Sequence, residues 1–504
     1  MNFSKNIFLF IATLIITPFI IFLGKNYLQT EFFTYKYFLG TFFYCLFFIC
    51  IMVVVRIIFK KSLVFILFLA YFSFLQFYFF EIEKFFLIFF NYAFTKYYVL
   101  VFIILLSLIA AFISRSPIFR NFVLILLLLN ITISVSKLVT TLGNSLHTVF
   151  KNADIIDNPS TSSSLTLTKY PNIFYIIPDG LASPKILKDY SDINFKNSIK
   201  NFEEKGFSVP RHNYSSYNKS HLSLAALFKM DYPVTEKSLI YKNRNNFYPI
   251  IRDKKPEILE YLKKNNYKFI IVPPLWGGCP TSKDYRCLMP NGNSFLSSFF
   301  QDYAISTMFQ KSLIKKFLYR YNIFNISSDM NDSGKTALNQ MKKNPKYWKD
   351  GGVFTMIHMV MPHLPYREEN CSITNRYAVP SREGYRSSVY CTFDRIHELS
   401  DFIIKNYPDA NIVVQSDHGI YPDFYPKNKR FVEHSESLID HRLGAFTAVR
   451  GCNSEQAAKL NQANIVEYVV ECLIDDSPTK EFVNKSFIGF YEESPDYGKI
   501  FRIR

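Results

Sequence analysis

The chain has 504 residues, 49% of them apolar, and a formal net charge of +17. A length of this order predicts two to four domains. The basic residues form no cluster with interleaved aromatic side chains of the kind that reads nucleic acid, so the charge reflects general composition and we predict no nucleic-acid partner.

The first 138 residues differ in composition from the rest of the chain. They contain no Asp, three Glu and eleven Lys or Arg, whereas the remaining 366 residues contain 38 acidic and 47 basic residues. Five apolar stretches lie in this part, each close to the ~20 residues that cross a hydrocarbon core. We therefore predict a transmembrane domain over 1–138, with a bundle of about five helices at 7–24, 38–58, 62–82, 97–114 and 119–138.

Basic residues at the ends of the spans predict the orientation of this domain. One loop carries Arg56, Lys60 and Lys61, and another carries Arg115 and Arg120. These two loops and the N-terminus are expected in the cytoplasm, because the opposite loops carry Lys25, Lys36, Lys84 and Lys96 diluted by all three Glu. Five spans then place everything after residue 138 on the outer, periplasmic side of a cytoplasmic (inner) membrane.

Six cysteines follow the apolar part and fall into three neighbouring pairs. An even number in a domain outside the cytoplasm indicates disulfide bonds, and pairing between nearest neighbours is the simplest connectivity. Six free thiols in a reducing cytosol are the alternative. The predicted pairs are Cys279–Cys287, Cys371–Cys391 and Cys452–Cys472.

The rest of the chain predicts a linker followed by an α/β domain. Residues 139–170 contain a turn-rich run at 158–164, typical of a connector. Over 171–504, short apolar strands alternate with helices, which predicts a mostly parallel sheet covered by helices on both faces. The predicted strands are 172–177, 268–272, 353–358, 411–415 and 445–449, and the predicted helices are 194–205, 255–265, 386–406 and 455–473.

Metal-competent side chains follow two of these strands. Asp179 comes after the first strand, and Asp417 and His418 come after the strand at 411–415. Ligands of such sheets gather at the carboxyl ends of the strands. Two carboxylates and one imidazole suit Zn²⁺ or Mn²⁺, and the neighbouring Gly180 and Gly419 permit tight turns.

Ser220 begins a helical pattern in the segment Asn218-Lys-Ser-His-Leu-Ser-Leu-Ala. A serine at this place can simply cap the helix. Alternatively, the helix N-terminus favours an anion, and a metal ion next to the hydroxyl makes it a nucleophile by lowering its pKa. The second interpretation requires Ser220 and the metal ligands to meet in space.

The order of these motifs resembles that of a known enzyme family. Asp179 is followed by the Ser220 segment, then by a segment with His358, His363, Pro365 and Tyr366, and then by Ser-Asp-His-Gly at 416–419. This order over about 170–450 resembles the sulfatase-like hydrolase/transferase branch of the alkaline phosphatase superfamily. Its membrane members include phosphoethanolamine transferases and lipoteichoic acid synthases, which also carry hydrophobic helices in front of the catalytic domain.

The resemblance implies a role for each matching residue. It implies one or two divalent metal ions, with Ser220 as both metal ligand and nucleophile. His358 and His363 would bind substrate or a second metal, although a structural role for each is the alternative, and His434 and Arg442 are candidates for phosphate contact. The implied metal ligands are Asp179, Ser220, Asp417 and His418.

The chain departs from the sulfatases at the nucleophile. Sulfatases generate formylglycine from a C/S-x-P-x-R motif, and both the Pro and the Arg are missing after Ser220. The resemblance therefore favours a transferase that moves a phospho-linked headgroup, such as phosphoethanolamine or phosphoglycerol, from a membrane phospholipid to a cell-surface glycan or lipid. The alternatives are a phosphodiesterase or sulfatase-like hydrolase of the same fold and a catalytically inactive membrane scaffold.

Overall fold

The computed structural model gives two compact units. Among the described residues, one unit is drawn from Met1–Thr161 and the other from Ser162–Asn291 and Ser327–Arg504. The structure describes residues 5–25, 42, 46, 63–78, 82, 92–152, 171–191, 195–235, 256–273, 285–288, 332–364, 366–372, 381–420, 435–475, 478, 480–489 and 500–503.

The amino-terminal unit contains four long helices that overlap four of the five predicted spans. The 38–58 stretch lies almost wholly outside the described residues, so the five-span bundle stays a prediction. The helices are α1 (Lys5–Lys25), α2 (Leu63–Leu75), α3 (Tyr92–Ile113) and α4 (Pro117–Asn152), with a 3-10 turn at Gln76–Tyr78.

Helix α4 has the strongest membrane character. Its segment Pro117–Ser136 is the one described stretch both long and apolar enough to cross a membrane, and 17% of that apolar window is buried. Ile118, Phe122 and Ile125 are 82%, 56% and 64% exposed. The helix continues to Asn152, so the first part of the predicted 139–170 linker is helical.

A six-stranded sheet organises the second unit, as the sequence predicts. Its order is β3-β2-β4-β1-β5-β6. Every neighbouring pair is parallel except β5 and β6, which are antiparallel. The strands are β1 (Ile173–Asp179), β2 (Lys268–Val272), β3 (Tyr285–Cys287), β4 (Val353–Pro362), β5 (Asn411–Gln415) and β6 (Thr447–Arg450). The short β3 and a separate antiparallel pair, β7 (Phe487–Gly489) and β8 (Ile500–Arg502), are not predicted by the sequence pattern.

Helices cover both faces of this sheet. Because side chains alternate along a strand, Phe174 and Ile176 of β1 pack into one apolar cluster and Tyr175 and Ile177 pack into another. The first cluster includes helices α5 (Pro184–Ser191), α6 (Lys196–Glu204), α9 (Ser333–Lys343) and α10 (Arg382–Asn406). The second cluster includes helices α7 (Ser220–Lys229), α8 (Glu257–Lys264), α12 (Ser454–Ala457) and α13 (Ile465–Asp475). One more helix, α11, spans Glu436–Leu443.

The predicted single helix at 455–473 is wrong. The structure has two helices there, α12 and α13, separated by an irregular segment. Asn213 Nδ2 donates to the Ala458 and Leu460 carbonyls at 3.0 and 3.1 Å, and Gln415 Nε2 donates to the Leu460 carbonyl at 2.7 Å. These side chains satisfy two carbonyls that a continuous helix would use internally, so the carbonyls of Ala458 and Leu460 stay hydrogen-bonded at the break.

Two of the predicted disulfides are confirmed. Cys371 is bonded to Cys391 and Cys452 to Cys472, with Cα atoms 5.1 and 6.0 Å apart. For the third pair, Cys287 is disulfide-bonded and Cys279 lies outside the described residues. The pairing Cys279–Cys287 therefore stays a prediction.

Candidate metal centre and nucleophile

The two predicted carboxylates and the imidazole meet at the carboxyl edge of the sheet. Asp179 ends β1, Asp417 and His418 directly follow β5, and these two strands are parallel neighbours. Potential ligand atoms of the three side chains all lie within 4.8 Å of one another. All three residues are buried, so the sheet topology builds a compact candidate metal site.

The hydrogen bonds of His418 fix its tautomer. Its Nδ1 lies 2.6 Å from the Gly419 carbonyl oxygen, which accepts only, so Nδ1 carries the proton. Its Nε2 then presents a lone pair, and this atom lies 3.6 Å from Asp179 Oδ1 and 3.7 Å from Asp417 Oδ2. A ring nitrogen bonded to a backbone carbonyl is the usual way to orient a metal-binding histidine.

Asp417 has one satisfied and one unsatisfied oxygen. Oδ1 accepts from the backbone N–H groups of Gly180 and His418 at 3.0 and 2.9 Å. Oδ2 is buried and accepts no hydrogen bond from the described residues. Leaving a buried carboxylate oxygen unpaired is costly, and a divalent cation held by Asp417, Asp179 and His418 would satisfy it. The donor set therefore fits a metal ion.

The Ser220 hydroxyl faces these ligand atoms. Its Oγ lies 3.1 Å from His418 Nε2 and 3.5 Å from Asp179 Oδ1. Ser220 is the first residue of α7, and Lys219 occupies the capping position with extended backbone angles. The capping interpretation of Ser220 is therefore wrong, because its hydroxyl points at the candidate metal site and another residue holds the cap position.

Two glycines next to the ligands are needed for the turns that the sequence predicts. Gly180 has φ of +76°, which disfavours other residues. Gly419 has no room for a side chain, since a Cβ atom there would lie 2.2 Å from the His441 carbonyl oxygen. Both turns thus hold Asp179, Asp417 and His418 at close range.

Both predicted histidines of the 358–366 segment reach Asp179. His358 lies on β4, beside β1, with Nε2 3.7 Å from Asp179 Oδ2, and it is buried. The backbone N–H of His363 donates to the Asp179 carbonyl at 3.1 Å, and its side chain is exposed with Nδ1 2.8 Å from the Leu364 carbonyl. Their roles as substrate or second-metal ligands stay predictions.

The charges around Asp179 keep it ionised. Burial raises its pKa, but the neighbouring His363, His358 and His418 outweigh burial and hold the pKa well below its usual range. For His363, desolvation by neighbouring groups lowers the pKa, but the Asp179 carboxylate, the bond to the Leu364 carbonyl and the Asp417 carboxylate together outweigh it, so the pKa is raised. An ionised Asp179 is ready to bind a cation at neutral pH.

Arg442 lies close to the nucleophile segment. It is buried in α11, and its Nη2 donates to the main-chain carbonyl of Asn218, two residues before Ser220. Its predicted phosphate contact stays a prediction. His434, the other predicted phosphate contact, lies outside the described residues.

The structure adds residues that motif reading does not single out. Ser416 Oγ accepts from the Leu181 N–H at 2.9 Å and lies 2.8 Å from the carbonyls of Pro178 and His418, so it joins the two ligand-bearing turns. The Asn218 side chain bonds both backbone groups of Gly489. Asn218 begins the segment that contains Ser220, and Ser416 begins the Ser-Asp-His-Gly motif, so the sequence could have indicated both residues. Tyr385 lies in the first turn of α10, outside the quoted motifs, and carries no such signal.

No protein-family model matches the chain, and no curated protein matches its sequence. Several solved structures are similar to it. The C-terminal periplasmic domain of EcEptC from Escherichia coli is 12% identical with a TM-score of 0.39, and the match covers 68% of this chain and 94% of that one. Phosphonate monoester hydrolase from Silicibacter pomeroyi is 13% identical with a TM-score of 0.40, covering 63% and 79%.

The soluble domain of lipooligosaccharide phosphoethanolamine transferase A from Neisseria meningitidis is 11% identical with a TM-score of 0.37, covering 64% of this chain and 92% of that one. All three TM-scores are below 0.5, so these similarities do not assign a reaction to this chain. Its chemistry is inferred from the residues of its own site.

Proposed function

We propose that the chain is a membrane-anchored, metal-dependent member of the sulfatase-like branch of the alkaline phosphatase superfamily. In this proposal it transfers a phospho-linked headgroup from a phospholipid to a cell-surface glycan or lipid. The observation that supports the proposal most is the position of the Ser220 hydroxyl, 3.1 Å from His418 Nε2 and 3.5 Å from Asp179 Oδ1, at the start of a helix.

The metal site supplies the first requirement of this chemistry. Asp179, Asp417, His418 and the Ser220 hydroxyl would hold one or two divalent ions, Zn²⁺ or Mn²⁺. A bound ion lowers the pKa of the hydroxyl and stabilises the charge that develops on the phosphoryl oxygens. The N-terminal end of α7 favours the same negative charge.

The transfer needs two displacements at phosphorus. Ser220 Oγ loses its proton and forms a bond to the headgroup phosphorus while the phosphorus–oxygen bond to diacylglycerol breaks, and the departing diacylglycerol oxygen takes up a proton, so that this step releases none overall. An acceptor hydroxyl then attacks the phosphoserine, loses its proton and releases Ser220. We assign substrate contacts to His358, His363, His434 and Arg442.

The membrane placement fits a lipid donor. The exposed apolar surface of Pro117–Ser136 supports an anchor in the bilayer, where the phospholipid lies. The Cys371–Cys391 and Cys452–Cys472 bonds support a catalytic domain outside the cytoplasm, since disulfides persist in oxidising compartments. We also propose that the other four predicted spans, at 7–24, 38–58, 62–82 and 97–114, cross the membrane.

A hydrolase of the same fold is the second candidate. It would use water in place of the acceptor, and the same Ser220 geometry serves both reactions. The missing Pro and Arg after Ser220 disfavour a formylglycine sulfatase. The unpaired Asp417 Oδ2 disfavours an inactive scaffold, because a domain without metal would leave that oxygen unsatisfied.

The test uses the full-length protein with vesicles of phosphatidylethanolamine or phosphatidylglycerol labelled in the headgroup. Ser220→Ala abolishes headgroup release, Ser220→Thr retains part of it because a hydroxyl remains, and mass spectrometry of the acid-quenched wild type shows a headgroup phosphate on Ser220. Ser223→Ala is the matched control. That hydroxyl lies on the same helix but donates to the Tyr217 carbonyl at 3.0 Å, so its loss leaves turnover unchanged.

Other outcomes contradict the transferase. Release of sulfate from an aryl sulfate that depends on Ser220, with no turnover of phospholipid, excludes it. Headgroup release to water at the same rate with and without lipid or glycan acceptors identifies the hydrolase instead.

A further inference from the structure

The loop after Asp179 is held entirely by groups from other parts of the chain. The N–H of Gly180 donates to Asp417 Oδ1, and the N–H of Leu181 donates to Ser416 Oγ. The N–H of Ser183 donates to the Gly444 carbonyl at 3.0 Å. Two further backbone groups of the loop, the carbonyl of Gly180 and the N–H of Ala182, are bonded to one other residue.

Tyr385 of helix α10 is that partner. Its hydroxyl donates to the Gly180 carbonyl at 2.9 Å and accepts from the Ala182 N–H at 3.0 Å. The side chain is buried, as are Gly180 and Ala182, so water cannot replace either bond. Burial also raises the pKa of Tyr385 far above its usual value, which keeps the donated proton in place.

We propose that Tyr385 is a positioning residue of the candidate metal centre. By bridging Gly180 and Ala182, its hydroxyl fixes the turn that follows Asp179, and so fixes the Asp179 carboxylate against Asp417 and His418. The inference rests on the proposed function, because it assigns Tyr385 to that same site.

The chemistry of the bridge explains why a phenylalanine cannot substitute. One hydroxyl satisfies a donor and an acceptor at once, whereas Phe leaves the Gly180 carbonyl and the Ala182 N–H buried without partners. Gly180 already adopts a positive φ, and without the bridge its own backbone would keep the N–H bond to Asp417 Oδ1. The loop would relax towards other conformations, and Asp179 would lose its alignment.

The first experiment measures metal binding rather than activity. Full-length wild-type and Tyr385→Phe proteins, stripped of metal, are titrated with Co²⁺ against a chelator, and affinity and the visible absorption spectrum are recorded. We expect Tyr385→Phe to bind Co²⁺ about 10-fold more weakly with an altered spectrum, since loss of a group that orients ligands costs roughly 10–100-fold in affinity.

Tyr232→Phe is the matched control. The Tyr232 hydroxyl is likewise bonded to a backbone N–H, that of Lys485 at 2.8 Å, but away from the metal ligands. We expect it to lower stability without changing Co²⁺ affinity or spectrum. Equal Co²⁺ binding by wild type and Tyr385→Phe, or equal losses in both variants, would overturn the inference.

Hydrogen exchange of the metal-free wild type tests the bridge without any substitution, so the inference stays testable even if Tyr385→Phe does not fold. The Ala182 amide should exchange slowly before metal is added, because Tyr385 orders it. Fast exchange at Ala182 that slows only with metal would overturn the inference. A wild type with a protected Ala182 but no Co²⁺ binding contradicts the proposed function and leaves the bridge itself standing.

Discussion

At the scale of single residues, two atoms define the candidate metal site: the unsatisfied Oδ2 of Asp417 and the Nε2 of His418. Asp417 Oδ2 is buried with no hydrogen-bond donor among the described residues, and His418 directs Nε2 toward both carboxylates. Removing these two side chains should therefore remove the metal and spare most of the fold.

We predict that the Asp417→Ala/His418→Ala double variant loses its bound metal, as measured by elemental analysis of the purified protein. Asp332→Ala is the control, because Asp332 is an equally buried carboxylate that caps α9 and pairs with Arg395. The control should lose stability and keep its metal. Equal metal content in the wild type and the double variant contradicts the site.

At the scale of secondary-structure elements, helix α10 carries a half-buried histidine outside the site, His397. The His397 ring packs against Phe202 with centroids 4.4 Å apart, and both of its nitrogens are buried without a hydrogen-bond partner in the described structure. Burial, assisted by Lys205 and opposed by Asp401, lowers its pKa to about 4.

This histidine should make stability depend on pH. The folded pKa of about 4 lies below the ordinary value of roughly 6.5, so between these values the unfolded chain binds more protons. The contribution of neutral His397 is complete above that ordinary value and is lost as pH falls towards 4. Because the ring is partly exposed and solvent screens part of this effect, we expect His397→Leu to reduce the stability difference between pH 7.5 and pH 5 in urea unfolding by about 1 kcal/mol. An unchanged difference contradicts the assignment.

The disulfides tie helices to the loops beside them. Cys371–Cys391 links the segment after β4 to α10, and Cys452–Cys472 links the turn after β6 to α13. Each spans 20 residues of sequence, so each should contribute about 3 kcal/mol to the free energy of unfolding by restricting the unfolded chain. Urea unfolding of the Cys371→Ser/Cys391→Ser variant measures this contribution.

Non-reducing peptide mapping decides the predicted Cys279–Cys287 pair. Free thiols at all six positions would contradict the outside location as well.

At the scale of the whole molecule, the predicted orientation places residues 171–504 outside the cytoplasm. Protease added to intact spheroplasts should digest this part of the chain, with a cytoplasmic protein as the protected control. Protection of 171–504 until the membrane is broken would reverse the orientation. Digestion would agree with the location outside the cytoplasm that the disulfides indicate and with a membrane anchor at the apolar helix segment Pro117–Ser136.

The sequence by itself determined that the sheet is mostly parallel and where along the chain its candidate metal ligands lie. An apolar run such as that at 173–177 needs no tertiary information to be recognised, because strands buried on both faces are almost continuously apolar. Asp179, Asp417 and His418 follow such strands directly, so the common edge of a parallel sheet brings them together. The two confirmed disulfides likewise follow from spacing.

Only the tertiary structure decided which groups support those ligands. The break between α12 and α13 depends on Asn213 and Gln415, which are distant in sequence and compete for helix carbonyls. Tyr385 reaches Gly180 across 205 residues, and no local pattern marks it. Propensity and periodicity act over a few neighbouring residues, whereas buried polar groups are satisfied by whatever the fold places beside them.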